Sequence, residues 1–295
     1  MRGVREVQTE TAGDLIAEEA ASTETPGFAL AQALAHPRRL ARLGRGAGIQ
    51  LASVACFLVL WQIVGSHTNP ILLATPTAVF AAFVDMVHKG QLQAGFVLAT
   101  EDLVVGYLLA AGLGIAVGLV MGRNRTIEQV LNPYINFMQA TPLVALVPLI
   151  IIWLGIGFPA RVAVVFILAF WSVIINTCTG VKAVPRVLVE VARVYHFSER
   201  RVMREIALPN AVPHIFAGLR IALGKALIGM VIAEMEVSIV GLGGLLSEYG
   251  ESFKTAYLMA GIVTASLVGV FTAVFLEWSL GRFFPWVAAT SAARE

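Results

Sequence analysis

Three ionisable side chains, Lys225, Glu234 and Glu236, stand in or beside a long apolar run. A charge at the centre of a bilayer costs roughly 2.5–3.5 kcal/mol. A residue kept there reaches an interface or faces water. Lys225 follows Arg220 closely enough to extend to one membrane surface, and Glu236 can sit at the opposite interface. The other reading makes this run the lining of a translocation path, with Glu234 facing a wet cavity and Gln139, Thr141 and Asn176 as further pathway candidates. Other chemistry finds no support in the spacing. The stretch GLRIALGKA, Gly218 to Ala226, has five residues rather than four between its glycines and Ala226 where a magnesium-binding Ser or Thr is required, so it is no phosphate loop. Gly241, Gly243 and Gly244 follow no strand and miss the dinucleotide spacing. His36, His67, His88, His196 and His214 show no HxxxH or HExxH pattern, and Cys56 and Cys178 lie far apart inside apolar runs. No catalytic residue, metal site, cofactor or disulfide is expected, and any ATP hydrolysis must come from a separate chain.

The elements that would position these residues are membrane spans. Of 295 residues, 58% are hydrophobic and 14% charged, against about a quarter charged in soluble domains. The net charge of +2 and the lack of Lys/Arg runs interleaved with aromatics exclude a nucleic-acid partner. Six stretches have the length and apolarity of a span: about 48–66, 99–122, 134–156, 161–180, 218–240 and 257–280. The third and fourth are divided at Gly155, Gly157, Pro159 and Arg161, which predicts a tight turn at the membrane surface. With the N-terminus cytoplasmic, 17 of the 21 Lys and Arg residues fall inside; Lys89, Arg161 and Lys254 fall outside and Lys225 within a span. Both termini are therefore expected in the cytoplasm. Gly114, Gly118 and Gly122 place bare backbone along one helix face, where another helix can approach closely. Between the first two spans, Val79, Phe80, Phe83, Val84 and Val87 recur at helical spacing and predict an amphipathic helix at the outer surface.

The long loop between spans four and five, residues 181–217, reads as two short amphipathic helices. Pro185 opens the first, with Val187, Leu188, Val191, Val194 and Tyr195 on one face and Arg186, Glu190 and Arg193 on the other. Ser198 caps the second, which carries Val202, Met203 and Ile206 opposite Arg200, Arg201 and Arg204 and is expected to end at Leu208 and Pro209. Periodicity alone leaves two readings, docking to a partner protein and lying on the membrane surface. Glu190 is likewise open between a surface ion pair with Arg186 or Arg193 and contact with a partner.

This loop resembles the cytoplasmic motif of binding-protein-dependent ABC importer permeases, in particular the nitrate, sulfonate and taurine group. That motif runs Glu-Ala-Ala, three residues, Gly, nine residues, Ile-x-Leu-Pro. Glu190, Val191 and Ala192 stand in the first places, His196 in the glycine place, and Ile206, Leu208 and Pro209 close it. LLATPTAVF at 72–80 followed by Gly90, TPLVALVPLIIIWLGIG at 141–157, GLRIALGKA at 218–226, and AEM at 233–235 followed by GLGGLL at 241–246 are similar to the same group, and the resemblance covers about residues 50 to 285. Val191 departs from alanine. His196 departs from glycine, and a histidine reaches the left-handed conformation only at about 1–2 kcal/mol.

The resemblance implies an all-α type I importer permease in the plasma (inner) membrane. Its domains would be a mostly disordered cytoplasmic tail at 1–47, a transmembrane domain at 48–280 and a cytoplasmic C-terminal tail at 281–295. The implied partners are a cytoplasmic ATPase subunit, an extracytoplasmic solute-binding protein and a second permease copy, most simply as a homodimer within the lipid bilayer. Glu190, Ala192, His196, Ile206, Leu208 and Pro209 would form the ATPase-coupling segment, with the apolar face of its first helix packed beneath spans four and five. The implied cargo is a small anion such as a sulfonate, nitrate or aromatic carboxylate. The alternative from another class is an ion-coupled secondary transporter, which predicts inverted repeats with broken helices.

Overall fold

The computed structural model describes residues 37–238 and 240–283; of the tails expected at 1–47 and 281–295, residues 37–47 and 281–283 are helical and the rest lies outside the described residues. Every regular element described is helical. Helix α1, Pro37–His67, begins well ahead of the apolar run, and through Ile63 it is a unit by itself. It presents exposed apolar side chains from Ile49 to Val64, with Phe57 and Trp61 in tilted contact at 6.0 Å.

In the second unit, α2 (Pro76–His88) starts where the Thr75 hydroxyl accepts a hydrogen bond from the Ala78 N–H and Pro76 supplies a pre-set φ. It buries Val79, Ala82 and Met86, while Phe80, Val84 and Val87 of the expected apolar stripe remain exposed. Asp85 accepts hydrogen bonds from Lys89 at 2.6 Å and Tyr257 at 2.9 Å. The Lys89 ammonium, and after it the Tyr257 hydroxyl, hold the Asp85 carboxyl below the usual carboxylate range.

Three long helices make the centre: α3 (Gln91–Arg123), α6 (Phe158–Lys182) and α8 (Glu199–Val237). Apolar side chains gain nothing by leaving lipid for one another, so close packing must hold them. The four-residue glycine spacing serves this purpose. A Cβ on Gly106 would meet Val165, one on Gly114 would meet Val173, one on Gly118 would meet Thr177 and one on Gly122 would meet Val181. Each pair has the same sequence offset, so α3 and α6 run parallel in one register, with Ala110 and Ala169 both fully buried between them. On its other side α6 meets α8 antiparallel: Gly180 faces His214, Asn176 faces Gly218 and Val165 faces Gly229. Val165 is thus the knob for both seams.

The stretch expected as a single third span is broken. Helix α4 (Arg125–Ala140) is capped by the Asn124 carboxamide, which accepts from Thr126 N–H at 2.9 Å and Ile127 N–H at 3.2 Å. After Thr141 and Pro142 the chain turns by 93° through a short 3-10 turn, Leu143–Leu146, into α5 (Val147–Leu154). Five helices are long and apolar enough to cross a membrane, and this bent pair makes a sixth crossing if it counts as one. Gly155 and Gly157, at φ of +76° and +143°, make the predicted tight turn into α6.

Two further helices frame the centre. Helix α7 (Arg186–Val194) precedes α8, and α9 (Gly241–Glu251) follows it, leading to α10 (Thr255–Phe283). The corner between α9 and α10 is turned by Phe253 at φ +56°, with Phe253 N–H donating to Gly250 O and Lys254 N–H to Tyr249 O.

The seam generates a test on one helix. Gly118→Val drives its new atoms into Thr177 Cβ, already 2.6 Å from an added Cβ, and is expected to lower stability by about 1–3 kcal/mol, whereas Gly112→Ala meets nothing within 4 Å and should leave the melting temperature unchanged or raised. Thermal unfolding of the purified protein in detergent reads both; equal effects would show that the glycine register does not set the packing.

Candidate functional site

The loop that matched the motif is built by two caps and one strained residue. Helix α7 ends in a reciprocal pair of hydrogen bonds: His196 N–H donates to Arg193 O at 2.9 Å and Phe197 N–H to Ala192 O at 2.9 Å. This closure requires a left-handed residue at position 196, and His196 supplies it at φ +55°. The histidine thus occupies the left-handed conformation that a glycine in the motif's place adopts without steric cost. Ser198 then accepts from the Arg201 N–H, as its position predicted, and starts α8. Arg201 lies 4.0 Å over the Phe197 ring and donates to both carboxylate oxygens of Glu205 at 2.9 and 3.0 Å, fixing the corner between α7 and α8.

Leu208 and Pro209 do not end the second helix. The chain passes from Glu199–Val202 through a π turn, Met203–Ala207, and on through Leu208–Ala233 without a break. A proline ring collides with the carbonyl four residues before it in an ordinary α-helix; the wider turn makes room and lets the helix continue. The second loop helix and span five are consequently one element.

The first loop helix also departs from expectation, because its apolar face is not packed beneath the spans. Val187, Leu188, Val191, Val194 and Tyr195 are exposed, Val194 at 76%, and the side turned inward is carried by Ala192 at 2%. A small residue at 192 lets the helix backbone settle against the chain. Glu190 is exposed and makes no ion pair with Arg186 or Arg193 among the described residues. Ile206 is half-buried, and Leu208 and Pro209 are exposed.

The polar pathway candidates separate. Gln139 is exposed near the break after α4; Thr141 is half-buried at the break and donates to Phe137 O at 2.9 Å. Asn176 is half-buried, donates to Ser172 O at 2.8 Å and lies against Gly218 in the α6–α8 seam. Lys225 and Glu236 are exposed, while Glu234 is completely buried. Its carboxylate accepts the Gly243 N–H at 2.7 Å. Val240, the residue before α9, has no side-chain oxygen, so Glu234 serves that helix as a remote N-cap. The glycines of the GLGG run are required by this contact: a Cβ at Gly241 would strike the Glu234 carboxylate, and one at Gly243 would come within 2.7 Å of Glu234 Cβ.

Sequence reasoning missed a separate buried ion pair, between α3 and α6. Arg161, sorted with the loop residues, is 7% exposed and donates through Nε to Asp102 at 2.6 Å, with Asp102 fully buried. The offset of 59 positions between them is the offset of the glycine seam, so the ion pair is its next rung. The available signal was a pair of opposite charges, each four residues before a seam position, Gly106 and Val165.

Arg161→Ala leaves Asp102 buried without its cation and is expected to cost about 3–5 kcal/mol. The double variant Asp102→Leu/Arg161→Met is expected to recover most of that loss in thermal unfolding; a double variant as unstable as the single one would show that the charge pairing is not the source.

Residues 110–288 match the profile of the family described as the binding-protein-dependent transport system inner membrane component. SsuC of Bacillus subtilis strain 168, a permease protein assigned to aliphatic sulfonates transport, is 30% identical over 83% of this chain and 89% of its own. The taurine transport system permease protein TauC of Escherichia coli K12 is 30% identical over 85% of this chain and 95% of its own. Among solved structures, inward-facing conformations of the MetNI methionine ABC transporter share the fold, with a TM-score of 0.57 at 17% identity over 68% of this chain and 97% of that one. A helical membrane chain with a matching loop, spans and profile leaves one assignment: it belongs to the family of binding-protein-dependent transport inner membrane components, the permease subunits of ABC importers.

Proposed function

We propose that two copies of this chain form the translocation pathway of an importer for a small anion of the sulfonate class, driven by a separate ATPase that grips α7 and the start of α8 from the cytoplasm. The observation that carries the reading is the continuity of α8 from the exposed corner at His196 to the buried Glu234. A push on the α7–α8 corner reaches the far end of the central bundle with no loop to absorb it.

The exposed row Val187, Val191, Val194 and Tyr195 gives an ATPase an apolar surface to cover, with Glu190 beside it for a charged contact. In this reading Ala192, His196, Ile206, Leu208 and Pro209 shape the handle and join it to the span. Gln139, Thr141 and Asn176 lie along the pathway, and Glu234 acts on it by fixing α9. The Lys and Arg distribution supports the inner membrane with both termini cytoplasmic. The opposite end then receives substrate from a solute-binding protein. The sulfonate class is supported by the names of SsuC and TauC.

Proteoliposomes holding the chain with its ATPase and binding protein test the reading. Sulfonate uptake should require ATP hydrolysis, and Glu190→Lys should lower it by more than about tenfold, the scale of losing one buried charge contact, while membrane insertion is unchanged. Coupled uptake at the normal rate in that variant would remove Glu190 from the mechanism. Uptake that survives without ATP and collapses with the proton gradient would establish a secondary transporter instead.

A further inference from the structure

Where α3 ends at Arg123, α4 begins at Arg125 and α6 ends at Lys182, the structure holds an open groove of about 710 Å³. Four cations line it, Arg123, Arg125, Lys182 and Arg186, against one carboxylate, Glu128. Glu128 is taken by Lys182, and Arg123 has Glu199 only at 4.0 Å. Arg125 and Arg186 make no ion pair among the described residues. The transport reading uses none of this concentration of positive charge.

The surroundings say what kind of anion fits. On α4, Val130 and Phe137 stand three residues before and four after the groove-lining Pro133, and Tyr134 stands four after Val130, all three exposed. A charged mouth that continues into an apolar face, at the ends of spanning helices, suits an amphiphile better than a free ion. We infer that this groove binds an anionic phospholipid, with its phosphate between Arg125 and Arg186 and its acyl chains along Val130, Tyr134 and Phe137. With the orientation given under Proposed function the lipid belongs to the cytoplasmic leaflet; the affinity for it does not rest on that reading.

Native mass spectrometry of the purified full-length chain, released from detergent after incubation with phosphatidylglycerol or phosphatidylcholine, tests the site. Phosphatidylglycerol should be retained selectively, and the double variant Arg125→Gln/Arg186→Gln should bind it roughly thirtyfold more weakly. Excess inorganic phosphate should not displace it. Equal retention of the two lipids, or selectivity unchanged in the double variant, overturns the proposal. Displacement by phosphate alone makes the groove a soluble-anion site. Cross-linking of a Gln129→Cys variant to a second copy or to the ATPase makes it a protein interface, which also overturns the lipid assignment. Labelling of Arg125→Cys from outside intact cells by a membrane-impermeant maleimide would overturn the orientation while leaving the detergent result to stand by itself.

Discussion

Close backbone approach in a medium that does not reward apolar burial is the constraint on which this fold depends. Helix α6 meets it twice, with Val165 set against Gly106 on one side and Gly229 on the other. Once glycine and alanine have brought α3 to that distance, Arg161 can reach Asp102 along the same register. A buried ion pair contributes little net stability because desolvation offsets most of its attraction. Its effect here is selective. Sliding α3 along α6 by one turn would still find small residues at several positions, but would separate both charges from their partners in a site of low dielectric.

Much of this was legible in the chain itself. Apolar run lengths located the spans, the glycine spacing marked the α3 seam, and the Ser198 cap fell where its type and position suggested. What could not be read has identifiable physical causes. Pro209 signals a stop under α-helical geometry, and the π turn that accommodates it has no sequence signature of its own. Arg161 sits among Gly155, Gly157 and Pro159, which correctly mark a turn but say nothing about where its long side chain points. Periodicity grouped the apolar residues of α7 on one face without telling which way that face turns; the small Ala192 decided it.

These features tie α8 to its neighbours at both ends and along one flank. At one end Arg201 lies over Phe197 of the connection from α7 and pairs with Glu205, and the flank of α8 is fitted to α6 by glycines. The other end presents Glu234 to α9. The GLGG run, whose spacing fits no nucleotide fingerprint, owes its missing side chains to this close contact. In the same way, the buried carboxylate that first suggested a wet cavity holds one helix to the next.

The corners on either side of this assembly are turned by His196 and Phe253, both in the left-handed region. A glycine there would swing through backbone angles of either sign, and its joint would fold in several directions. A side chain bearing Cβ shrinks the left-handed region to a small well about 1–2 kcal/mol above the right-handed one, so the surrounding contacts must hold each corner there. The chain thus gives up some conformational comfort at two points, and each bend persists because the backbone hydrogen bonds of Phe197 to Ala192 and of Lys254 to Tyr249 over-determine it.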